Sequence, residues 1–133
     1  MSVRRTGGVL AIVGTTFLAL SGCGNVTDDE VARVATAFAQ DGQDAAARCS
    51  LLAPSTLATL TEQQSSSCPH AIGNVQSGTG RLVSVEVWGE EAQAKLTDDT
   101  LFLTRTPQGW RVLAAGCTPR SQQQPYDCQL QAS

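Results

Sequence analysis

Charge, aromatic rings and imidazole are all scarce in this 133-residue chain. Asp, Glu, Lys and Arg make up 16% of it and divide into nine basic and twelve acidic side chains, a net charge of −3. A field so weak and so acidic does not track phosphates, which excludes nucleic acid as a partner. Aromatics are 5% and histidine occurs once, as His70. Every Ser-His-Asp, Cys-His or other imidazole-based scheme must therefore run through one side chain, beside Cys68-Pro69. Long apolar runs are absent too. Val9 to Leu20 spans twelve residues, roughly 18 Å of helix against the ~30 Å of a hydrocarbon core. Ser77-Gly78-Thr79-Gly80 lacks the spacing and the lysine of a phosphate loop. What is present suffices for one domain: 41% hydrophobic residues, too many for a disordered chain, in a length that holds one core at most.

The apolar run follows Arg4-Arg5 and ends in Ser21-Gly22, the layout of an export signal. Leu20-Ser21-Gly22-Cys23 resembles the lipobox of bacterial lipoproteins. That resemblance implies a thioether-linked diacylglycerol on Cys23 and removal of residues 1–22 as a signal peptide. The alternative is a soluble secreted protein with Cys23 as an odd thiol. The paired arginines leave Sec and twin-arginine export both open. Removing 22 residues leaves 111, with seven basic side chains against twelve acidic ones, a net charge of −5. Acyl chains, at ~0.8 kcal/mol per buried methylene, hold such a chain on a membrane without a basic patch. The expectation is a protein lipid-anchored on the extracytoplasmic face of the cell membrane, with no cofactor beyond the covalent lipid on Cys23. Residues 23–26 form a tether of roughly 10 Å, so the domain lies against the bilayer. Asn25-Val26-Thr27 fits a glycosylation pattern, an accident in a bacterial lipoprotein.

Residues 27–133 read as a single domain, helices first. Thr27-Asp28-Asp29-Glu30 has the form of a capping box, and Val31, Val34, Ala35 and Phe38 repeat at helical spacing up to the stop at Asp41-Gly42. Further short helices are predicted over Asp44–Leu52, from Ser55 to about Gln63, and at Cys68–Ile72, followed by a loop from Gly73 to Gly80. From Arg81 the apolar period becomes two. Arg81–Trp88, Glu91–Thr97, Thr100–Thr106 and Trp110–Cys117 form a four-stranded antiparallel meander with turns at Gly89-Glu90, Asp98-Asp99 and Pro107-Gln108-Gly109. Those turns set Val87, Val85 and Val83 against Ala92, Ala94 and Leu96, then Leu96 and Ala94 against Leu101 and Leu103, with Leu113 and Ala115 continuing the helix-facing side. The other face carries Glu86, Gln93, Lys95 and Thr104, but also the apolar Trp88, Phe102, Trp110 and Val112. Left open to solvent, the four apolar ones make a patch of several hundred Å² suited to a homodimer or an envelope protein partner; otherwise residues 118–133 fold back over them. Arg105 continues the inward face to its end, where it guards a pocket mouth or extends to water. Glu86, Glu90, Glu91, Asp98 and Asp99 read as solvated charges, Tyr126 and Asp127 as packing and capping a tail loop, and Ser121–Gln124 as a flexible connection.

Four cysteines remain after Cys23, an even number in an exported chain and therefore a disulfide framework. Three pairings are possible. The one that joins neighbouring elements is Cys49 with Cys68 and Cys117 with Cys128, each bond contributing about 3 kcal/mol in the loop-entropy account. A metal site built on Cys49, Cys68 and His70 is the rival, disfavoured because oxidation competes for the thiols and no paired CxxC occurs.

Helices followed by a curved antiparallel meander resemble the NTF2-like cone folds, an α+β architecture. More narrowly, Ala46-Ala47-Arg48-Cys49-Ser50-Leu51-Leu52-Ala53-Pro54, Gly109-Trp110-Arg111-Val112 and Ala115-Gly116-Cys117-Thr118-Pro119 with Pro125-Tyr126-Asp127-Cys128 resemble uncharacterised actinobacterial lipoproteins. The resemblance spans most of residues 27–130. It supports the fold and the cysteine pairing, and carries no activity. Pocket enzymes of the cone type use an interior carboxylate with His or Tyr, and no acid falls on the inward parity here. The sequence therefore favours a non-catalytic binding or protein-interaction module of the envelope, with no catalytic residue and no metal. A small dehydratase or isomerase, and a structural envelope protein dimerising through the outer sheet face, are the alternatives.

Overall fold

Val31, Val34, Ala35 and Phe38 form one apolar stripe, and the first helix follows it: α1 runs Val26–Ala39 with all four buried. The computed structural model describes residues 25–40, 44–121 and 125–133, so Cys23, the leader and Asp41-Gly42 lie outside the described residues. The capping box does not form. The N-cap is Asn25, without a side-chain bond, and Asp29 donates its amide to the Asn25 carbonyl at 3.1 Å. Thr27 is thus already inside the helix, where Asp28 and Asp29 still favour the positive end of the dipole. Three short helices follow: α2 Ala45–Ser50, α3 Pro54–Gln64 and α4 Cys68–Gly73. Pro54 and Pro69 each occupy the first turn of their helix, where the missing amide costs nothing. The bond between Cys49 and Cys68 ties α2 to α4.

Five strands, β1 Leu82–Trp88, β2 Glu91–Leu96, β3 Thr100–Thr106, β4 Gly109–Pro119 and β5 Tyr126–Gln131, make one antiparallel sheet in sequence order. The protein is α+β, with five strands rather than four. The fifth is the tail, expected as a loop: Cys117 sits opposite Cys128 in the β4–β5 ladder and is bonded to it, while Arg120 pairs with Asp127 where the strands open. The disulfide framework is therefore the one that joins neighbouring elements.

Register decides which residues meet the helices. In the first hairpin Val87 and Val85 face Ala92 and Ala94, as the alternation implies, but Leu82 rather than Val83 meets Leu96. A bulge at Val83 leaves that side chain 65% exposed. The second turn comes one residue earlier than expected, so Ala94 faces Leu101 and Ala92 faces Leu103. This two-residue slide preserves parity, and all four stay buried.

The third turn does not preserve it. Thr106 pairs with Gly109 across a two-residue turn instead of a three-residue one, with Gly109 at φ +98°, a conformation open to glycine. Trp110, Arg111 and Val112 change face. Trp110 and Val112 thus fall opposite Arg105 and Leu103 and lie in the core at 1% and 0% exposure. The outward assignment of both is corrected. A bulge at Leu113 then restores the original phase, so Ala114 pairs with Phe102 and Ala115 is buried as expected, while Leu113 is not. Thr56 of α3, fully buried, donates to the Leu113 carbonyl at 2.7 Å. The free edge beside Val112 is closed by residues 51–53: Val112 donates to the Leu51 carbonyl and accepts from the Ala53 amide, both at 2.8 Å. Phe38, Ile72, Leu101, Leu103 and Trp110 fill the space between sheet and helices.

Candidate functional site

With Phe38, Ile72, Leu103 and Trp110 packed between helices and sheet, the sheet's other face is the place to look for function. Trp88, Glu91, Gln93 and Phe102 share that face by strand parity and register: Trp88 opposes Glu91, and Gln93 opposes Phe102. A flat sheet would leave Gln93 in water, yet it is only 8% exposed. The cause is the tail strand. The sheet curls until Tyr126 of β5 reaches β2, its hydroxyl accepting a hydrogen bond from Gln93 Nε2 at 3.0 Å. The Tyr126 ring meets Phe102 edge to face, centroids 4.9 Å apart and planes at 73°.

The curl encloses a groove of about 550 Å³. Phe102, Gln93, Leu113 and Ala114 line it from the sheet, Pro125, Tyr126, Cys128 and Gln131 from the tail, and Trp88 with Glu91 from the β1–β2 end. Its surface is mostly apolar, and Trp88 is half-exposed. The polar groups are few and placed: Thr104 donates to Glu91 Oε1 at 3.0 Å, which orients that carboxylate, and the Gln93 amide is held by Tyr126. A groove of this size, with apolar walls and a few fixed polar groups, has the make-up of a small-molecule site.

Two of the four residues expected on an outer interaction face, Trp88 and Phe102, do line this groove. Trp110 and Val112 are on the opposite side of the sheet. The tail folds back over Phe102 and leaves Trp88 half-exposed. Arg105 does not line this groove: it is exposed, with its guanidinium 5.2 Å from the centre of the Trp110 ring that it covers. His70 is exposed on α4, away from the groove lining. The sulfurs of Cys49 and Cys68 are spent on each other, which removes the thiolates a metal site with His70 would need. Cys23 is outside the described residues.

The sequence reading places Gln93 on this face but gives it no part in a site, sets Leu113 on the helix side and leaves Tyr126 in a tail loop; all three line the groove. Gln93 carried a signal, a lone polar residue between Ala92 and Ala94 on the parity of Phe102. Asp99 was also misread. Its carboxylate accepts the amides of Thr100 at 2.6 Å, Gly116 and Cys117 at 2.9 Å each, and Gly78. It ties the loop after α4 and the start of β3 to the bend of β4, where Gly116 has φ +66°. Arg48 is another partly buried charge. Its guanidinium lies 4.6 Å over the Phe38 ring and donates to the Ser77 carbonyl at 2.8 Å, and burial lowers its pKa from the ordinary arginine value. Such a group remains a cation, so it serves packing and not proton transfer.

Comparison of the chain with models of protein families, with curated proteins and with solved structures finds no match.

Proposed function

We propose that this chain is an extracytoplasmic lipoprotein, anchored to the membrane through Cys23, whose NTF2-like domain is a non-catalytic binding module. The groove between Trp88, Phe102 and Tyr126 is where it binds. That groove is the single observation that carries the reading: an apolar space of about 550 Å³ with oriented amide, hydroxyl and carboxylate groups, and no imidazole beside them. A pocket enzyme would place a carboxylate and a His or Tyr around an interior cavity on the helix side, which here is packed with Phe38, Ile72, Leu103 and Trp110. Binding falls instead to the free face. The lipobox-like Leu20-Ser21-Gly22-Cys23 and two disulfides in one small domain favour an oxidising, membrane-tethered setting. Helices leading into a curled antiparallel sheet favour the cone-type fold. Dimerisation through the outer face loses ground, because two of its four apolar residues are in the core.

The test has two parts. Intact mass of protein extracted from the membrane is expected to show a chain starting at diacylglyceryl-Cys23. Amide and side-chain NMR signals of Trp88, Gln93 and Tyr126 are expected to move together, saturably, with at least one of a set of water-soluble neutral, cationic and anionic alkyl probes. Signals that stay still with every probe defeat the binding reading.

A further inference from the structure

Taking the groove as a binding site, as above, we propose that its ligand is a small organic ammonium compound with an apolar arm, held by an aromatic corner and the Glu91 carboxylate. Of the five aromatic residues after Cys23, three line this one groove: Trp88, Phe102 and Tyr126. Their ring faces carry the negative lobe of the aromatic quadrupole, which attracts a cation when water is excluded. Phe102 and Tyr126 stand nearly at right angles, forming a corner, and Trp88 stands at the lip across β2.

The charge of the lining points the same way. Among the described residues Glu91 is its one ionised side chain, and no Lys, Arg or His of them belongs to it. Glu86, exposed and opposite Gln93, adds a second negative charge on the same face. Lys95 lies further along that face, at the register of Thr100; Arg111 lies in the row of Glu91, across Thr104, with its guanidinium donating to the Trp110 carbonyl at 2.9 Å, and neither lines the groove. Burying a carboxylate or phosphate headgroup here would leave it beside Glu91 without a counter-ion, so fatty acids and anionic lipids do not fit. A cation does fit. Thr104 occupies only Glu91 Oε1, and Gln93 uses the Tyr126 oxygen as acceptor, which leaves the phenol proton for a polar atom of the ligand. The space is larger than one ammonium head requires. Leu113, Ala114 and Cys128 continue it as an apolar track for an attached arm.

The experiment uses the full chain in a neutral maltoside micelle, with tryptophan emission as the reading, since Trp88 is half-exposed and Trp110 is buried. Choline is compared with 3,3-dimethylbutanol, which has its shape without its charge, and hexyltrimethylammonium with hexanoate. The expected result is a saturable shift with both ammonium probes, hexyltrimethylammonium binding more tightly than choline, and 3,3-dimethylbutanol at least tenfold weaker. Glu91→Gln, which keeps an acceptor for Thr104, is expected to weaken ammonium binding about tenfold and leave 3,3-dimethylbutanol unchanged. Glu62→Gln on α3 is expected to change neither. Equal binding of choline and 3,3-dimethylbutanol, or tighter binding of hexanoate, overturns the ammonium assignment while the binding reading stands. No shift with any probe removes both.

Discussion

Replacing Asp99 by asparagine keeps the shape of the side chain and removes its charge, which isolates what that carboxylate does. Oδ1 accepts from Thr100 and Cys117, and Oδ2 from Gly78 and Gly116. An amide can keep one oxygen for one pair of donors; its NH2 then points at two backbone amides that also donate. Two charge-assisted bonds are lost, each worth about 1.5–3 kcal/mol, and the surviving two become neutral and weaker. Asp99 is only partly buried, so water enters and recovers some of this. The net cost is about 3 kcal/mol, a large share of the ~5–15 kcal/mol that holds a domain of this size. In a thermal scan with the disulfides intact this is a fall of roughly 10–20 °C. Asp98→Asn, exposed and among the described residues accepting a side-chain bond from Thr97, serves as the control and is expected to stay within about 0.5 kcal/mol. Amide exchange gives a local reading, with Gly78, Gly116 and Cys117 losing protection first in Asp99→Asn. If the two asparagine variants melt together, Asp99 is an ordinary solvated turn residue and the account of the β4 bend fails.

The register reversal after Pro107-Gln108 makes its own prediction: Trp110→Ala costs about 3–5 kcal/mol in urea unfolding and Trp88→Ala less than about 1 kcal/mol, whereas equal costs would put both rings on one face. Acrylamide is expected to quench only one of the two tryptophans in the native chain, the one that Trp88→Ala removes. Gly78→Ala meets two obstacles, a φ of +68° and a Cβ 2.5 Å from Phe38 Cε1, and is expected to destabilise by about 2–3 kcal/mol; an unchanged midpoint would mean that the loop does not pack on Phe38. Replacing Cys117 and Cys128 together by serine removes an 11-residue span, about 3 kcal/mol in the loop model, and is expected to erase the groove's NMR response to probes as β5 frees from β4. The same replacement at Cys49 and Cys68, with a 19-residue span, costs a similar amount and is expected to leave the groove response in place.

What was readable in the sequence was whatever depends on period, and what was not depends on the number of residues in a turn. Val31, Val34, Ala35 and Phe38 announce α1 at any register, because a helix needs only its own spacing. The first hairpin was legible as far as Val85, since the turn at Gly89-Glu90 sets Val87 and Val85, both partly buried, against Ala92 and Ala94, while the bulge at Val83 left no local trace. The Asp98-Asp99 turn was placed one residue late without harm, because moving both strands together keeps each side chain on its face. At Pro107-Gln108-Gly109 the same uncertainty of one residue reversed the outcome. Gly109 can end the turn or begin the strand, and its positive φ is compatible with either in the sequence; only packing decides, by offering Trp110 a place opposite Arg105 and beneath the helices. The groove follows from that choice. With Trp110 and Val112 inward, the strand needs a bulge at Leu113 to bring Ala115 back to the core, and the bulge turns Leu113 toward Phe102's side of the sheet. The bend held by Asp99 then carries β5 across to Gln93. Neither step leaves a local trace in the residues, for a bulge and a curl are set by contacts between segments far apart in the chain.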